Sequence, residues 1–418
     1  MNCDVLVVGA SPAGIMAATS AARAGAEVTL LDKDFGSLDH PANTFFDGMV
    51  QKVGFEVDDR YVLHDLDGMR IISPAGHRLE IPAQGRFIDR ARFDVIHLRR
   101  AELLRVHILR GEAKETKLLN GERLVKIGRL DPKRRADAGH AGAERRGPRI
   151  DQFQGWDEID QGEIRAGVVI DAGGVDSILA RGAGLSPMRH PEDVAWALEA
   201  LVELPGLGEE RFFEYWVGSL APGWKATFSP GGGDRATLGV FVRGHGRDVR
   251  PFLDGFIQKF KRYKSDRYPN IDDLKIVALN RGGDPIATLP GEVVSSSLMV
   301  VGSAAGQSGM VYSMRAGEIC GTVAAQAMIS GDVSREALSR YQKRWTKEFY
   351  REFRIGRACL ETLRNMSDED IDALTKGLAE KNLDLGGSSA RMTLSVLFAV
   401  LLARPGVLPA LMRSFLKG

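Results

Sequence analysis

The sequence predicts an α/β fold: a parallel sheet that starts with a βαβ nucleotide-binding unit, an antiparallel second sheet, and a helical C-terminal region. Three observations carry this prediction. The apolar run Val5, Leu6, Val7, Val8 passes through the glycine-rich turn GASPAG (9–14) into a helix of small residues. Two later apolar strands end in turns of the same kind, VVIDAGG (168–174) and LMVVGSAAG (298–306). Between them, VAWALEALVEL, RFFEYWVG, WKATFSP and RATLGVFV follow one another as short strands, the pattern of an antiparallel sheet.

The first unit has a physical role for each residue type. A continuous apolar run suits a parallel strand buried on both faces. Gly9 permits a tight turn, Gly14 lets the helix pack closely on the strand, and the helix N-terminus offers N–H groups to a pyrophosphate. Asp32 ends the next strand, where a carboxylate accepts from the ribose hydroxyls of an adenosine. Ser11 departs from the glycine pattern at the closest approach to the phosphates, and serine is small enough to be tolerated there. The competing reading is a βα turn without a ligand.

The segment DFGSLDHPANTFFDGMVQKVG (34–54) reads as a loop beside the nucleotide unit, and DLDGMRIISPAGHRLEIPA (65–83) as a hairpin turning at Ser73 to Gly76. GRFIDRARFDVIHLRRAELL (85–104) predicts a strand end and then a helix, with Phe93, Ile96, Leu103 and Leu104 near one face and His97 and Arg100 interrupting it. Residues 131–163 are polar and aperiodic, an extended loop or an inserted hairpin. DVRPFLDGFIQKFKRY (248–263) is a helix before the strand DLKIVALN, and from Met310 onward nearly everything is helical. The expected division is a discontinuous nucleotide domain (1–75, 88–190, 285–330), a sheet domain (76–87, 191–284) and a helical region (331–418).

Composition narrows the class. Among 418 residues, 56 Lys and Arg balance 55 Asp and Glu, which argues against a nucleic-acid partner. Cys3, Cys320 and Cys359 show no metal or disulfide spacing, so no metal site is expected and a reducing cytoplasm fits. The chain begins with a core strand and lacks the pattern of a signal peptide, which also points to the cytoplasm. The apolar run Leu394 to Ala403, broken by Arg404 and Pro405, is too short to span a bilayer; it reads as a packed helix pair or a peripheral lipid contact.

With FIDRARFD around Arg90, the three glycine turns resemble the flavoprotein superfamily of aromatic-ring hydroxylases and geranylgeranyl reductases. The best match is to the geranylgeranyl reductases, above all the archaeal enzymes that saturate isoprenoid chains of membrane lipids. FFDGM (45–49), GSLAPGWKATFSPGGGDRATLGVF (218–241) and the long helical C-terminus carry that resemblance. It implies an FAD-binding Rossmann-like domain of the glutathione-reductase or hydroxylase type, with an antiparallel substrate-binding sheet. Gly9, Ser11, Ala13 and Gly14 would face the FAD pyrophosphate, Asp32 the adenosine ribose and Arg90 the extended cofactor. Phe45, Phe46 and Gly48 would lie next to the flavin, and Ser303, Gly309 and Met310 near its ribityl chain.

The departures from the family pattern are Ser303 in place of an Asp, a late loop (307–309) several residues shorter, and Phe45 in place of a cysteine. The aromatic middle-sheet motif survives as Trp224, Phe228 and Pro230. The implied reaction is saturation of geranylgeranyl C=C bonds by hydride from reduced flavin, with a prenyl lipid as substrate and a ferredoxin or a nicotinamide as electron donor. Two alternatives stay open: a flavin monooxygenase of an apolar or aromatic substrate, and a degenerate relative that binds lipid or a partner without turnover.

Several side chains carry two readings each. Asp47 would relay a proton if burial raised its pKa, or would merely cap its loop. Trp224 and Phe228 would wall an apolar tunnel for a prenyl chain, or belong to the core. Lys225 would meet an anionic head group, or lie exposed on its strand. The charged run from Arg335 to Arg357 reads as a solvated helix face.

Overall fold

The computed structural model describes residues 1–33, 35, 43–129 and 156–380. Most of the expected insertion at 131–163, and all of the apolar stretch from Leu394, lie outside the described residues. The chain forms two compact units: Met1–Leu38, Ala91–Pro191 and Thr288–Arg351 make the first, and Asp39–Arg90, Glu192–Ala287 and Glu352–Gly418 the second.

In chain order, β1 (Asn2–Val8), α1 (Pro12–Arg23) and β2 (Val28–Asp32) open the first unit. The second receives β3 (Thr44–Phe46), α2 (Asp47–Val53), β4 (Val62–Ile72) and β5 (Arg78–Ile88). Next come α3 (Arg90–Leu103), β6 (His107–Arg110), β7 (Glu112–Leu119), β8 (Glu122–Gly128), β9 (Asp157–Glu158), β10 (Gly162–Asp171) and α4 (Leu179–Gly182), in the first. β11 (Ala195–Glu203), β12 (Phe212–Trp216), β13 (Lys225–Pro230), β14 (Arg235–Val242), α5 (Arg250–Lys264) and β15 (Lys275–Asp284) belong to the second. β16 (Val294–Ser295), β17 (Leu298–Val300), α6 (Met310–Ser330) and α7 (Arg335–Trp345) complete the first, and α8 (Arg351–Arg364) and α9 (Asp368–Ala379) the second.

The first unit is built on a sheet of order β16-β17-β10-β1-β2-β6-β9, in which β17, β10, β1, β2 and β6 run parallel. Val5, Leu6, Val7, Val168, Val169, Ile170 and Met299 are fully buried there, as strands covered on both faces must be. Helices α1 and α6 meet at backbone distance. A Cβ on Gly317 would stand 2.1 Å from the Ala13 carbonyl oxygen, and one on Gly321 2.0 Å from that of Ala17. The hairpin β7–β8 turns at Asn120 and Gly121, both at positive φ, and β8 continues onto the first half of β10.

The second unit is a sheet of order β15-β11-β14-β13-β12-β4-β5-β3, antiparallel except where β12 pairs with β4. One face is closed by α5, whose Leu253, Phe256, Ile257 and Phe260 pack on Leu198, Trp216, Phe228, Leu238 and Val240. Helix α8 is tied to the same unit because Arg357 and Arg364 reach Asp193 at 3.0 and 3.1 Å.

Three sequence expectations shift. Residues 39–75 group with the second unit, because β4 pairs with β5 and β12, and the helical region divides after Arg351. Residues 44–53 form a strand and a short helix rather than a loop. Helix α3 buries Phe93, Asp94, His97, Leu98 and Ala101, while Leu103 is 84% exposed. His97 therefore belongs to the buried stripe that it was expected to interrupt.

Candidate functional site

At the C-terminal end of β1 the chain turns through Gly9 at φ +106°, a conformation that favours glycine. A Cβ there would lie 2.5 Å from the Ala172 carbonyl oxygen, and one on Gly14 1.9 Å from that of Gly9. Ser11 sits in extended backbone at φ −64° and ψ 163°. That conformation is open to any L-residue, so serine brings no strain in place of glycine. Its hydroxyl accepts from the Gly14 N–H at 3.3 Å and donates to the Ala172 carbonyl at 3.3 Å, which caps α1.

Pro12 brings no N–H to the first turn of α1, and the Ser11 carbonyl accepts that of Ile15. The Ala13 N–H is left as the orphan donor of that turn. No acidic residue occupies the turn. Asp32 ends β2 beside β1, with one carboxylate oxygen accepting from the Ala10 N–H. A helix dipole, an orphan donor and an acid at the next strand end fit the phosphates and ribose of a dinucleotide.

The two later turns stabilise themselves. Asp171 is fully buried and accepts from the Gly173 N–H at 3.0 Å, the Ala180 N–H at 3.1 Å and the Ser177 hydroxyl at 2.5 Å; burial pushes its carboxyl group up. In the late turn the Gly302 N–H donates to Gln307 Oε1 at 2.8 Å, and Gln307 Nε2 donates to the Tyr341 hydroxyl at 2.7 Å. The side chain of Gln307 thus bridges the short loop. Ser303 follows Gly302 and is partly buried, and its hydroxyl makes no hydrogen bond among the described residues. Gly309, at φ +88°, precedes α6, and Met310 opens that helix.

In the second unit Phe45 and Phe46 are buried on β3, and the Phe46 ring stands edge-on to Phe213 at 6.1 Å. Around Gly48 there is open space: a Cβ would meet nothing within 4 Å. Arg90 is the partly buried first residue of α3. Asp47 forms an ion pair with Arg86. Asp47 stands at the head of α2, and its partner Arg86 lies on β5. Phe228 is fully buried against Phe260, with ring centroids 5.0 Å apart, and is core rather than tunnel wall. Trp224 is partly exposed, with its Nε1 donating to Asp284 at 3.3 Å.

Lys225 is not an exposed strand lysine. Its ammonium is surrounded by Phe213, Tyr215, Trp224 and Phe241, and burial lowers its pKa to about 8. Nearby Glu199, 3% exposed, is raised by burial to about 8. The sequence signal for Glu199 was one acid inside the otherwise apolar alternation of β11.

Residues 4–35 match the family described as FAD dependent oxidoreductase. Together with the turn at Gly9 to Gly14, that match defines an FAD-dependent oxidoreductase. Digeranylgeranylglycerophospholipid reductase 1 of Methanothermobacter thermautotrophicus is 30% identical over 394 residues, 90% of each chain. The digeranylgeranylglycerophospholipid reductase of Methanosarcina acetivorans is 30% identical over 398 residues, 90% of this chain and 88% of its own. The chain belongs to the digeranylgeranylglycerophospholipid reductase family. A geranylgeranyl bacteriochlorophyll reductase-like protein from Thermoplasma acidophilum shares the fold, with a TM-score of 0.79 and 22% identity over 99% of both chains. Among the described residues no helix is long and apolar enough to cross a membrane.

Proposed function

We propose that this protein saturates C=C bonds in the geranylgeranyl chains of membrane lipids. Family membership over nine-tenths of the chain carries the reading, and the turn at Gly9 to Gly14 supports it. When bound and reduced, FAD supplies a hydride to one carbon of the double bond. Gly9, Ser11, Ala13 and Gly14 would hold its pyrophosphate at the N-terminus of α1, and Asp32 its adenosine ribose. Ser303 would offer a hydroxyl to the ribityl chain, and Gly309 and Met310 would place the start of α6 toward the flavin. The dipole of that helix favours negative charge on the reduced ring.

Trp224 would contribute an aromatic wall for the prenyl chain. A lipid-borne substrate places the working protein on the cytoplasmic surface of a membrane, with a ferredoxin or a nicotinamide as its electron donor. The first test is the visible spectrum of the purified protein after incubation with FAD and gel filtration. A retained flavin spectrum that dithionite bleaches is expected; a colourless protein would contradict the reading.

A further inference from the structure

The helix that begins as α7 carries a row of cations along its outer side. From Arg340 to Arg351 the basic residues are Arg340, Lys343, Arg344, Lys347 and Arg351, and the one acid is Glu348. Steps of three and four residues put these cations on one helical face, and the backbone stays helical through the wider turn Thr346–Tyr350. All five are exposed, and among the described residues none forms an ion pair. Glu348 does not offset them, because Arg315 holds it at 3.0 Å. Arg340 with Arg344, Lys343 with Lys347, and Lys347 with Arg351 are like charges four residues apart. Such pairs weaken a helix, so the stability of α7 does not explain the row.

The inner side of the same helix holds the late glycine turn. Leu338, Tyr341, Trp345 and Phe349 are buried. The Tyr341 hydroxyl accepts from Gln307 Nε2 at 2.7 Å, and Gln307 Oε1 accepts from the Gly302 N–H at 2.8 Å. One helix diameter, about 10–12 Å, therefore separates the cations from the turn assigned above to the flavin. Beside the row lies a cavity of about 70 Å³, with Arg189, Gln342, Thr346, Tyr350 and Gln307 in its wall. Arg189 is exposed and donates to the Tyr350 hydroxyl at 2.8 Å and the Pro290 carbonyl at 3.1 Å. Among the described residues it has no carboxylate partner.

Three kinds of anionic occupant compete for such a surface. A nicotinamide dinucleotide takes a pocket of about 300–1,000 Å³, several times this cavity, and its phosphates would engage only part of a row about 16 Å long. A bilayer takes an interfacial helix by its apolar face, and the apolar face of α7 is taken up by the core. The exposed residues from Arg340 to Arg351 are the five cations and Thr346. A charged strip of that length without apolar side chains suits the acidic surface of another protein, which it would steer into contact. The reaction also needs such a visitor, since each double bond saturated takes up two electrons from outside the chain.

We propose that the row from Arg340 to Arg351, with Arg189 beside it, docks the acidic face of a small electron-carrier protein; this rests on the prenyl-lipid reductase reading above. Two carriers dock in turn, and each gives up one electron and leaves oxidised by one. The two electrons, with two protons from water, make up the hydride and the proton that one double bond takes up. Docking on α7 brings the carrier to the side of the first unit where Tyr341 and Gln307 hold the late turn.

The test mixes the full-length FAD-loaded protein, without oxygen, with a reduced plant-type [2Fe–2S] ferredoxin as the acidic carrier. Bleaching of the flavin absorbance is followed by stopped flow. The wild-type rate should fall about tenfold or more between about 20 and about 300 mM salt. The triple variant Lys343→Glu, Arg344→Glu, Lys347→Glu should be bleached about tenfold or more slowly at low salt. It should keep its flavin spectrum and be bleached by dithionite as the wild type is, because that small reductant does not depend on docking. The uncharged triple Lys343→Gln, Arg344→Gln, Lys347→Gln should fall between the two, and it decides the matter if the reversal variant loses FAD.

Equal ferredoxin rates in wild type and both variants would overturn the docking role, as would a wild type that reduced ferredoxin does not bleach. Reversal that leaves ferredoxin bleaching intact but abolishes sedimentation with phosphatidylglycerol vesicles would make the row a lipid contact instead. Dithionite-driven saturation of a digeranylgeranylglycerol phospholipid keeps the reductase reading separate. If the wild type saturates that lipid, the reductase reading stands whatever becomes of the row; a lipid left unsaturated would defeat both.

Discussion

Gly14→Ala probes the nucleotide turn directly. The added methyl would lie 1.9 Å from the Gly9 carbonyl oxygen, where ordinary contact begins at 3.4 Å, so about 1.5 Å of separation must be found. The obstacle is backbone, and Ala172 Cβ at 3.1 Å blocks another side. Overpacking of this kind costs about 1–3 kcal/mol. Because α1 must move to relieve it, the Ala13 N–H moves too, and FAD affinity should fall by about tenfold or more for each ~1.4 kcal/mol of lost fit.

Gly25→Ala is the matched control: φ is +94°, but a Cβ there meets nothing within 4 Å. Only backbone strain of about 1–2 kcal/mol is added, with no change in FAD binding. Urea unfolding of the FAD-free proteins measures the stability change, and quenching of flavin fluorescence during titration measures affinity. A Gly14→Ala protein that binds FAD as tightly as Gly25→Ala would show that the turn tolerates a methyl group at Gly14 without moving the Ala13 N–H.

Two further outcomes follow from burial. Glu199 rises from 4.5 to about 8 in the folded protein, so its contribution to stability is full below pH 4.5 and is lost as pH rises through 8. A shift of about 3.5 units amounts to ~5 kcal/mol at most. Glu199→Gln should remove that slope, so wild-type and variant urea midpoints should diverge between pH 5 and pH 8; parallel midpoints would contradict the burial argument. Lys225, lowered from 10.5 to about 8, acts only above that window. Phe228→Ala should lower unfolding stability by about 3–5 kcal/mol without altering the flavin spectrum, and a loss below ~1 kcal/mol would speak against a core position.

The nucleotide turn was legible because its demands are local. Gly9 needs positive φ, Gly14 needs the absence of a Cβ, and the strand and helix on either side have clear periods. Ser11, read as a departure, takes φ −64° and acts as an N-cap, a detail that depends on where along the turn the backbone becomes extended. The β7–β8 hairpin went unread although Asn120-Gly121 is a strong hairpin signal, because its strands are polar and half exposed. Lys225 and Phe228 show a further limit. Alternation along β13 separates them onto two faces but does not say that α5 covers one and a ring of aromatics the other. The partner of Asp47, Arg86, lies 39 residues away in sequence and beyond any local pattern.

Loaded with FAD, this chain reduces prenyl double bonds. The most direct measurement is mass spectrometry of a digeranylgeranylglycerol phospholipid after incubation with the dithionite-reduced, FAD-loaded protein under nitrogen. A ladder of products heavier by two hydrogens for each double bond saturated is expected, absent when FAD is omitted. A lipid of unchanged mass beside a fully reduced, bound flavin would contradict it.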